Sequence, residues 1–113
     1  MGASQRRKGH GFERECAILL REIFPKVSRH LEYQYDQALG FDLDNTGPFR
    51  FQCKAMKKYA PISAIEEIGL SALPPEAIPA LITKGDRKPE VVCIYLVDFL
   101  KLLKKAGYSE NPL

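Results

Sequence analysis

Between residues 41 and 55 the chain alternates apolar and polar side chains on either side of a turn. Alternation of this kind marks strands with one buried face, and the Asn45-Thr46-Gly47-Pro48 run supplies the turn. The pattern predicts two short strands, residues 41–44 and 49–54. On the second, Phe49, Phe51, Cys53 and Ala55 share one side, with Arg50, Gln52 and Lys54 on the other. On the first, Phe41 and Leu43 oppose Asp42 and Asp44. One face is apolar. The other gathers two carboxylates, an amide, a lysine and an arginine. The loop length leaves the register open, and a slip of one residue would put Asp42 and Gln52 on opposite faces.

The rest of the chain supplies elements to pack against this hairpin. A helical period runs over residues 11–24 and stops before Pro25, with Phe12, Cys16, Leu19, Leu20, Ile23 and Phe24 in one arc. Glu13 falls inside that arc and should point inward; Glu15 falls at its edge or beyond. Residues 31–35 alternate and predict a first strand, followed by a loop over 36–40. A basic connection over 55–61 leads to Ser63-Ala64-Ile65-Glu66, a capping-box pattern that predicts a helix from Ser63 to about residue 71. Pro74, Pro75 and Pro79 leave residues 80–83 as a short strand. A basic turn over 84–89 precedes a β-branched apolar run, 90–96, that reads as a buried strand. Residues 99–105 predict a terminal helix, with Asp98 near its start and Gly107 just beyond its end. The order is α-β-β-β-α-β-β-α, an α/β fold with a mixed β-sheet flanked by helices.

Composition narrows the class. A chain of 113 residues is enough for one core: a single domain over 9–107, with a mobile basic arm at 1–8 and a tail at 108–113. Its 45% hydrophobic and 27% charged residues are ordinary for a soluble globule. The net charge of +3 permits a nucleic-acid partner without demanding one. The basic residues are clustered, at Arg6-Arg7-Lys8, 54–58 and 84–88, while the acids are scattered. Cys16, Cys53 and Cys93 stand singly in apolar segments, as small buried hydrophobes do. Their odd number and the lack of a secretory leader point to a reducing cytoplasm. No CxxC pair or His/Cys cluster suggests zinc, and no apolar run is long enough to span a membrane.

The polar face of the hairpin has a candidate chemistry. Metal-dependent cleavage of a phosphodiester needs oxygen ligands for a hard cation, activation of water and stabilisation of a leaving oxygen. Asp42, Gln52 and the backbone carbonyl of Cys53 offer such ligands. Lys54 shares the side of Gln52, and Glu13 would join if the first helix packs over that end of the sheet. Plainer readings stand beside these: a turn-stabilising role for Asp44, pairing of Glu13 with Arg14 or Arg21, and core packing for Tyr33 and Tyr35. The turn over 84–88 reads as simply polar. His10, between two glycines, reads as a loop residue rather than a base. Arg6, Arg7, Lys8, Lys57 and Lys58, with His10 among them, lie near the candidate site in sequence. They are candidate DNA contacts, expected to give salt-dependent binding.

Three stretches carry a resemblance. Lys8-Gly9-His10-Gly11-Phe12-Glu13-Arg14, Gly40-Phe41-Asp42-Leu43 and Phe51-Gln52-Cys53-Lys54 resemble, in order, the three motifs of the PD-(D/E)xK nuclease superfamily. The first is similar to the KGxxxER opening of archaeal and phage-type Holliday-junction resolvases. The QCK tripeptide is similar to the variant in Mrr-type restriction endonucleases, where Gln replaces the usual acid. The resemblance implies a restriction-endonuclease-like core and a metal site built from Glu13, Asp42 and Gln52, with Lys54 as the catalytic lysine. It implies magnesium as the metal, with manganese as a substitute, and DNA, branched or duplex, as the substrate. It also implies a homodimer, since resolvases cut two strands symmetrically. Gln52 departs from the common pattern: the amide keeps a carbonyl oxygen but removes a negative charge, which weakens divalent-ion binding. Asp44, on the face of Asp42, is the candidate to compensate. The expectation is a metal-dependent, structure-selective endodeoxyribonuclease that recognises shape and backbone. The alternatives are a restriction- or repair-type nuclease and a non-catalytic DNA-binding or architectural protein that keeps the fold with a weakened site.

Overall fold

The structure, a computed structural model, describes residues 2–30, 40–55, 61–68 and 74–108, with side chains described from residue 11 onward and from 62 in the third segment. Its elements are α1 (Gly2–Leu20), β1 (Ser28–Arg29), β2 (Leu43–Asp44), β3 (Phe49–Ala55), α2 (Pro61–Glu66), β4 (Ile78–Lys84), β5 (Val91–Ile94) and α3 (Leu96–Lys105). β3 pairs in parallel with β4, and β4 antiparallel with β5, so β4 is the middle strand of a mixed sheet. β1 and β2 form a separate antiparallel pair, Ser28 opposite Asp44 and Arg29 opposite Leu43. That pair reaches β3 through the Asp42 amide, which donates to the Phe51 carbonyl at 2.7 Å. The chain is an α/β globule with a mixed sheet and three helices, but its first strand is Ser28–Arg29, ahead of the expected 31–35.

Alternation decides which helix covers which face. Phe51, Cys53, Ala80 and Ile82 share a core cluster with Phe12, Cys16 and Ala17 of α1 and with Leu43. Leu81 points the other way and packs with Ala64 and Ile65 of α2. Gln52 is paired in register with Leu81 and so lies on the α2 face. β4 is buried from Ile78 to Thr83, as a parallel strand covered on both sides must be, and it is correspondingly an unbroken apolar run. Pro79 fits because β5 pairs only with residues 80–83, so its missing donor faces no neighbour on that side.

Several expectations are corrected. α1 starts at Gly2, ahead of the predicted residue 11, and ends at Leu20; the chain then turns through hydrogen bonds from Ile23 and Phe24 to the Leu20 carbonyl. The early end releases Ile23 from the arc, and its side chain is exposed, as is that of Leu19. Ala17 is buried in their place, where its small side chain lets the helix come close to the sheet. α2 starts at Pro61, suited to a first helical turn, so Ser63 lies inside the helix rather than capping it. Phe41 is buried outside the main cluster, its ring 4.5 Å from His30, with the Arg50 guanidinium 5.8 Å from its centroid. Residues 31–35 and the tail from 109 lie outside the described residues.

The end of the chain departs furthest from expectation. β5 is an edge strand with Val91 and Val92 exposed, not a buried one. α3 has no buried residue, and Leu96, Val97, Phe99 and Leu100 present their side chains to solvent. Its C-terminus is closed by Gly107 at φ 90°, with Gly107 N–H donating to the Lys104 carbonyl and Tyr108 N–H to that of Leu103. Among the described residues, no helix is long and apolar enough to cross a membrane.

Candidate active site

Asp42 sits where β2 meets β3, and it fixes the register the sequence left open. Its amide donates to the Phe51 carbonyl at 2.7 Å, and its Oδ2 accepts from the Cys53 amide at 2.7 Å. Asp42 thus brackets Gln52, main chain on the residue before and carboxylate on the residue after. A side-chain carboxylate here does the work of a ladder acceptor.

Gln52 and Lys54 project on the α2 face and meet the same atom. Gln52 Nε2 donates to Glu67 Oε2 at 2.8 Å, and Lys54 Nζ donates to that oxygen at 2.6 Å. The Gln52 side chain is buried, and its Oε1 receives no hydrogen bond. A buried carbonyl left without a donor costs about 1–3 kcal/mol. The Lys54–Glu67 pair, about one-third and one-half exposed, returns about 0–1 kcal/mol in such a setting. Stability therefore does not account for the arrangement. The Lys54 hydrogen bond, followed by that of Gln52, holds the Glu67 carboxyl below its ordinary value.

Glu67 owes its position to two features. Ile65 and Ile68 are buried and anchor the chain on either side of it. Gly40, at φ +78°, lets the loop entering Asp42 lie directly on the end of α2, because a Cβ at residue 40 would run into the Glu67 carbonyl. The Gly40–Asp42 stretch and the Gln52–Lys54 stretch therefore meet at Glu67.

Glu13 points inward as expected, but α1 carries it to the Cys53 side of β3. Its partner is Arg29, whose Nε donates to Oε2 at 2.9 Å, and not Arg14 or Arg21. The Cys53 thiol is pushed far above its ordinary value by a hydrogen bond with Cys16, by burial, and by the charges of Asp42 and Glu13. Asp44 is not a turn residue: its Oδ1 lies 2.8 Å from Nδ1 of the buried His30, tying β2 to the end of β1. The turn is made instead by Asn45 and Gly47 at positive φ, and by Thr46, whose Oγ1 donates to the Phe49 carbonyl at 2.8 Å. Arg50 is spent locally, on the carbonyls of Gly47 and Phe49.

Arg6, Arg7, Lys8 and His10 lie on the backbone of α1, with side chains outside the described residues; Lys57, Lys58, Tyr33 and Tyr35 lie wholly outside them. Three partners escaped the sequence reading. Arg29 and His30 fall just before the predicted first strand. Glu67 follows the acid of a capping-box pattern that pointed only to a helix start.

The donors suit a hard divalent cation, since the carboxylates of Asp42 and Glu67 and the bare oxygen of Gln52 are all oxygen ligands. Among the described residues, no three His, Cys, Asp or Glu side chains are grouped as a metal site. A cation held at this place would therefore need the amide oxygen of Gln52 as a ligand. Comparison of the chain with protein-family models, curated proteins and solved structures returns no match.

Proposed function

We propose that the protein is a metal-dependent endodeoxyribonuclease of restriction-endonuclease-like fold, selective for DNA structure in the manner of a Holliday-junction resolvase. The observation that carries this reading is the bare, buried Oε1 of Gln52 close to Lys54, with Asp42, just ahead of β2, bracketing Gln52. The parallel crossover from β3 through α2 to β4 is compatible with such a core.

Each group has a role that follows from its chemistry. Gln52 Oε1 and the Asp42 carboxylate would hold magnesium, or manganese in its place. The cation would supply Lewis-acid polarisation of the scissile phosphate and lower the pKa of water. Lys54, beside Glu67, would stabilise the negative charge that develops on phosphate oxygens. Glu13, paired with Arg29 on the Cys53 side, would add negative potential. Arg6, Arg7, Lys8, His10, Lys57 and Lys58 would contact the DNA backbone. The protein would act as a homodimer through β5 and α3, where Val91, Val92, Tyr95, Leu96, Val97, Phe99 and Leu100 are exposed. A twofold axis there would suit paired cuts.

One observation favours a second reading, a DNA-binding protein that does not cut. The Asp42 carboxylate is already engaged by the Cys53 amide, and the described residues hold no acidic triad. Purified protein on plasmid, single-stranded and four-way-junction DNA, with and without magnesium or manganese, separates the two. Metal-dependent cleavage that Asp42→Ala and Lys54→Ala abolish supports the nuclease. Cleavage of duplex DNA with no preference for the junction would support the restriction- or repair-type enzyme. Binding without cleavage in any metal would sink the enzyme reading.

A further inference from the structure

We infer that Glu67 supplies the carboxylate charge that Gln52 lacks, so that Gln52 Oε1 and Glu67 together form part of one divalent-cation site. The inference deepens the nuclease reading of the same site and rests on it for the choice of substrate, though not for the binding of the cation.

The hydrogen-bond chemistry fixes the orientation of the amide. An ionised carboxylate only accepts, so Gln52 must turn its NH2 group toward Glu67. Its carbonyl oxygen, on the same amide, is then left buried and without a donor. A hard cation is the partner that such an oxygen suits. The side chain of Glu67 is about half exposed, so a ligand can reach its carboxylate. Charge gives the second argument. An amide in place of an acid leaves the site one negative charge short, and Glu67 brings that charge within hydrogen-bond distance of the amide itself. Asp44, the compensating acid suggested by the sequence, is engaged with His30 instead. The third argument is the geometry at Gly40, which seats the loop leading into Asp42 against the backbone of Glu67. A plain ion pair with Lys54 would explain Glu67 but would leave the bare amide oxygen unexplained.

The test is Mn2+ binding to the full chain without DNA, by titration calorimetry and by the paramagnetic signal of free Mn2+. The parent is compared with Glu67→Gln, Glu67→Ala, Glu66→Gln and the double variant Gln52→Glu/Glu67→Gln. Glu67→Gln keeps an acceptor for Gln52 and Lys54 but removes the charge, and should weaken binding roughly 10- to 100-fold. Glu66→Gln, one residue away, should bind as the parent does. The double variant returns an acid to position 52 and should recover most of the affinity, which a merely structural role would not produce. Circular dichroism and melting in chelator establish that each variant is folded. Unchanged Mn2+ affinity in folded Glu67→Gln overturns the inference, and if the parent still cuts DNA with metal the nuclease reading survives it. Mn2+ binding that depends on Glu67 in a protein that never cuts would uphold the inference and sink the nuclease reading. A parent that binds no Mn2+ overturns the inference outright.

Discussion

The Lys54 ammonium donates to Glu67 Oε2 at 2.6 Å across thirteen positions of sequence. The lysine side chain is therefore placed by the end of α2 as much as by β3, the strand that carries it. Glu67 also keeps Gln52 turned, so one carboxylate governs both polar side chains of the β3 motif.

Acid should test that carboxylate first. The Glu67 pKa is lowered in the folded state by Lys54 and Gln52 from an ordinary value of 4.5. A depressed acid contributes stability that is present above 4.5 and lost as pH falls through the lowered value. The urea midpoint of the parent should fall more steeply as pH drops below 4.5 than that of Glu67→Gln. Because the side chain is about half exposed, the difference should be small and should shrink with added salt. Parallel pH profiles would show that Glu67 is not ion-paired in solution.

Gly40→Ala should be disruptive out of proportion to one methyl group. The residue sits at φ +78°, and the added Cβ would meet main-chain atoms of Glu67 and Ile68, which do not swing aside as a flexible side chain does. Left-handed backbone alone costs a non-glycine residue about 1–3 kcal/mol, and displacing α2 adds to it. Urea denaturation should show a loss of about 2 kcal/mol or more. A change within experimental error would mean that the loop does not rest on α2.

The three thiols should differ in reactivity. Cys16 and Cys53 are buried, and the Cys53 pKa is pushed far up; Cys93 is half-buried. A neutral-pH alkylating reagent should modify Cys93 in the folded protein and the other two only after unfolding. The sign of the pH effect follows: stability from keeping Cys53 as a thiol is present below 9.0 and declines as pH rises above it. Equal labelling of all three in folded protein would contradict the packing of α1 on β3.

Leu100→Glu should leave the fold intact, since the side chain is already about half exposed. It should weaken the dimer by about 2 kcal/mol or more if α3 is the interface. Sedimentation should show a dimer for the parent and a monomer for the variant at the same concentration. A parent that is monomeric throughout, or a variant that remains dimeric, would refute the surface.

The two faces of β3 were legible because their periodicity is local: Phe51 and Cys53 on one side, Gln52 and Lys54 on the other, follow from the pleat alone. The expected hairpin was not, since β2 shrinks to Leu43–Asp44 and pairs with β1 instead of β3. The inward turn of Glu13 was legible from the period of α1, which is also local. Its partner was not. Arg29 lies sixteen residues away, and nothing in a helical period selects it over Arg14 or Arg21. Glu67 was hidden in the same way, since its role depends on how far α2 extends and on a close approach at Gly40. The exposed face of α3 was misjudged at β5 because an apolar run looks alike whether a neighbour covers it or solvent does. Register was open until Asp42 was seen to reach both Phe51 and Cys53.

That double attachment has a consequence for observation. The Cys53 amide proton is held by a side chain, while its neighbours along β3 are held by the sheet. Its exchange with solvent therefore follows whatever claims the Asp42 carboxylate. A ligand that draws the carboxylate away should quicken exchange at Cys53, which makes this one amide a built-in reporter of occupancy at the site.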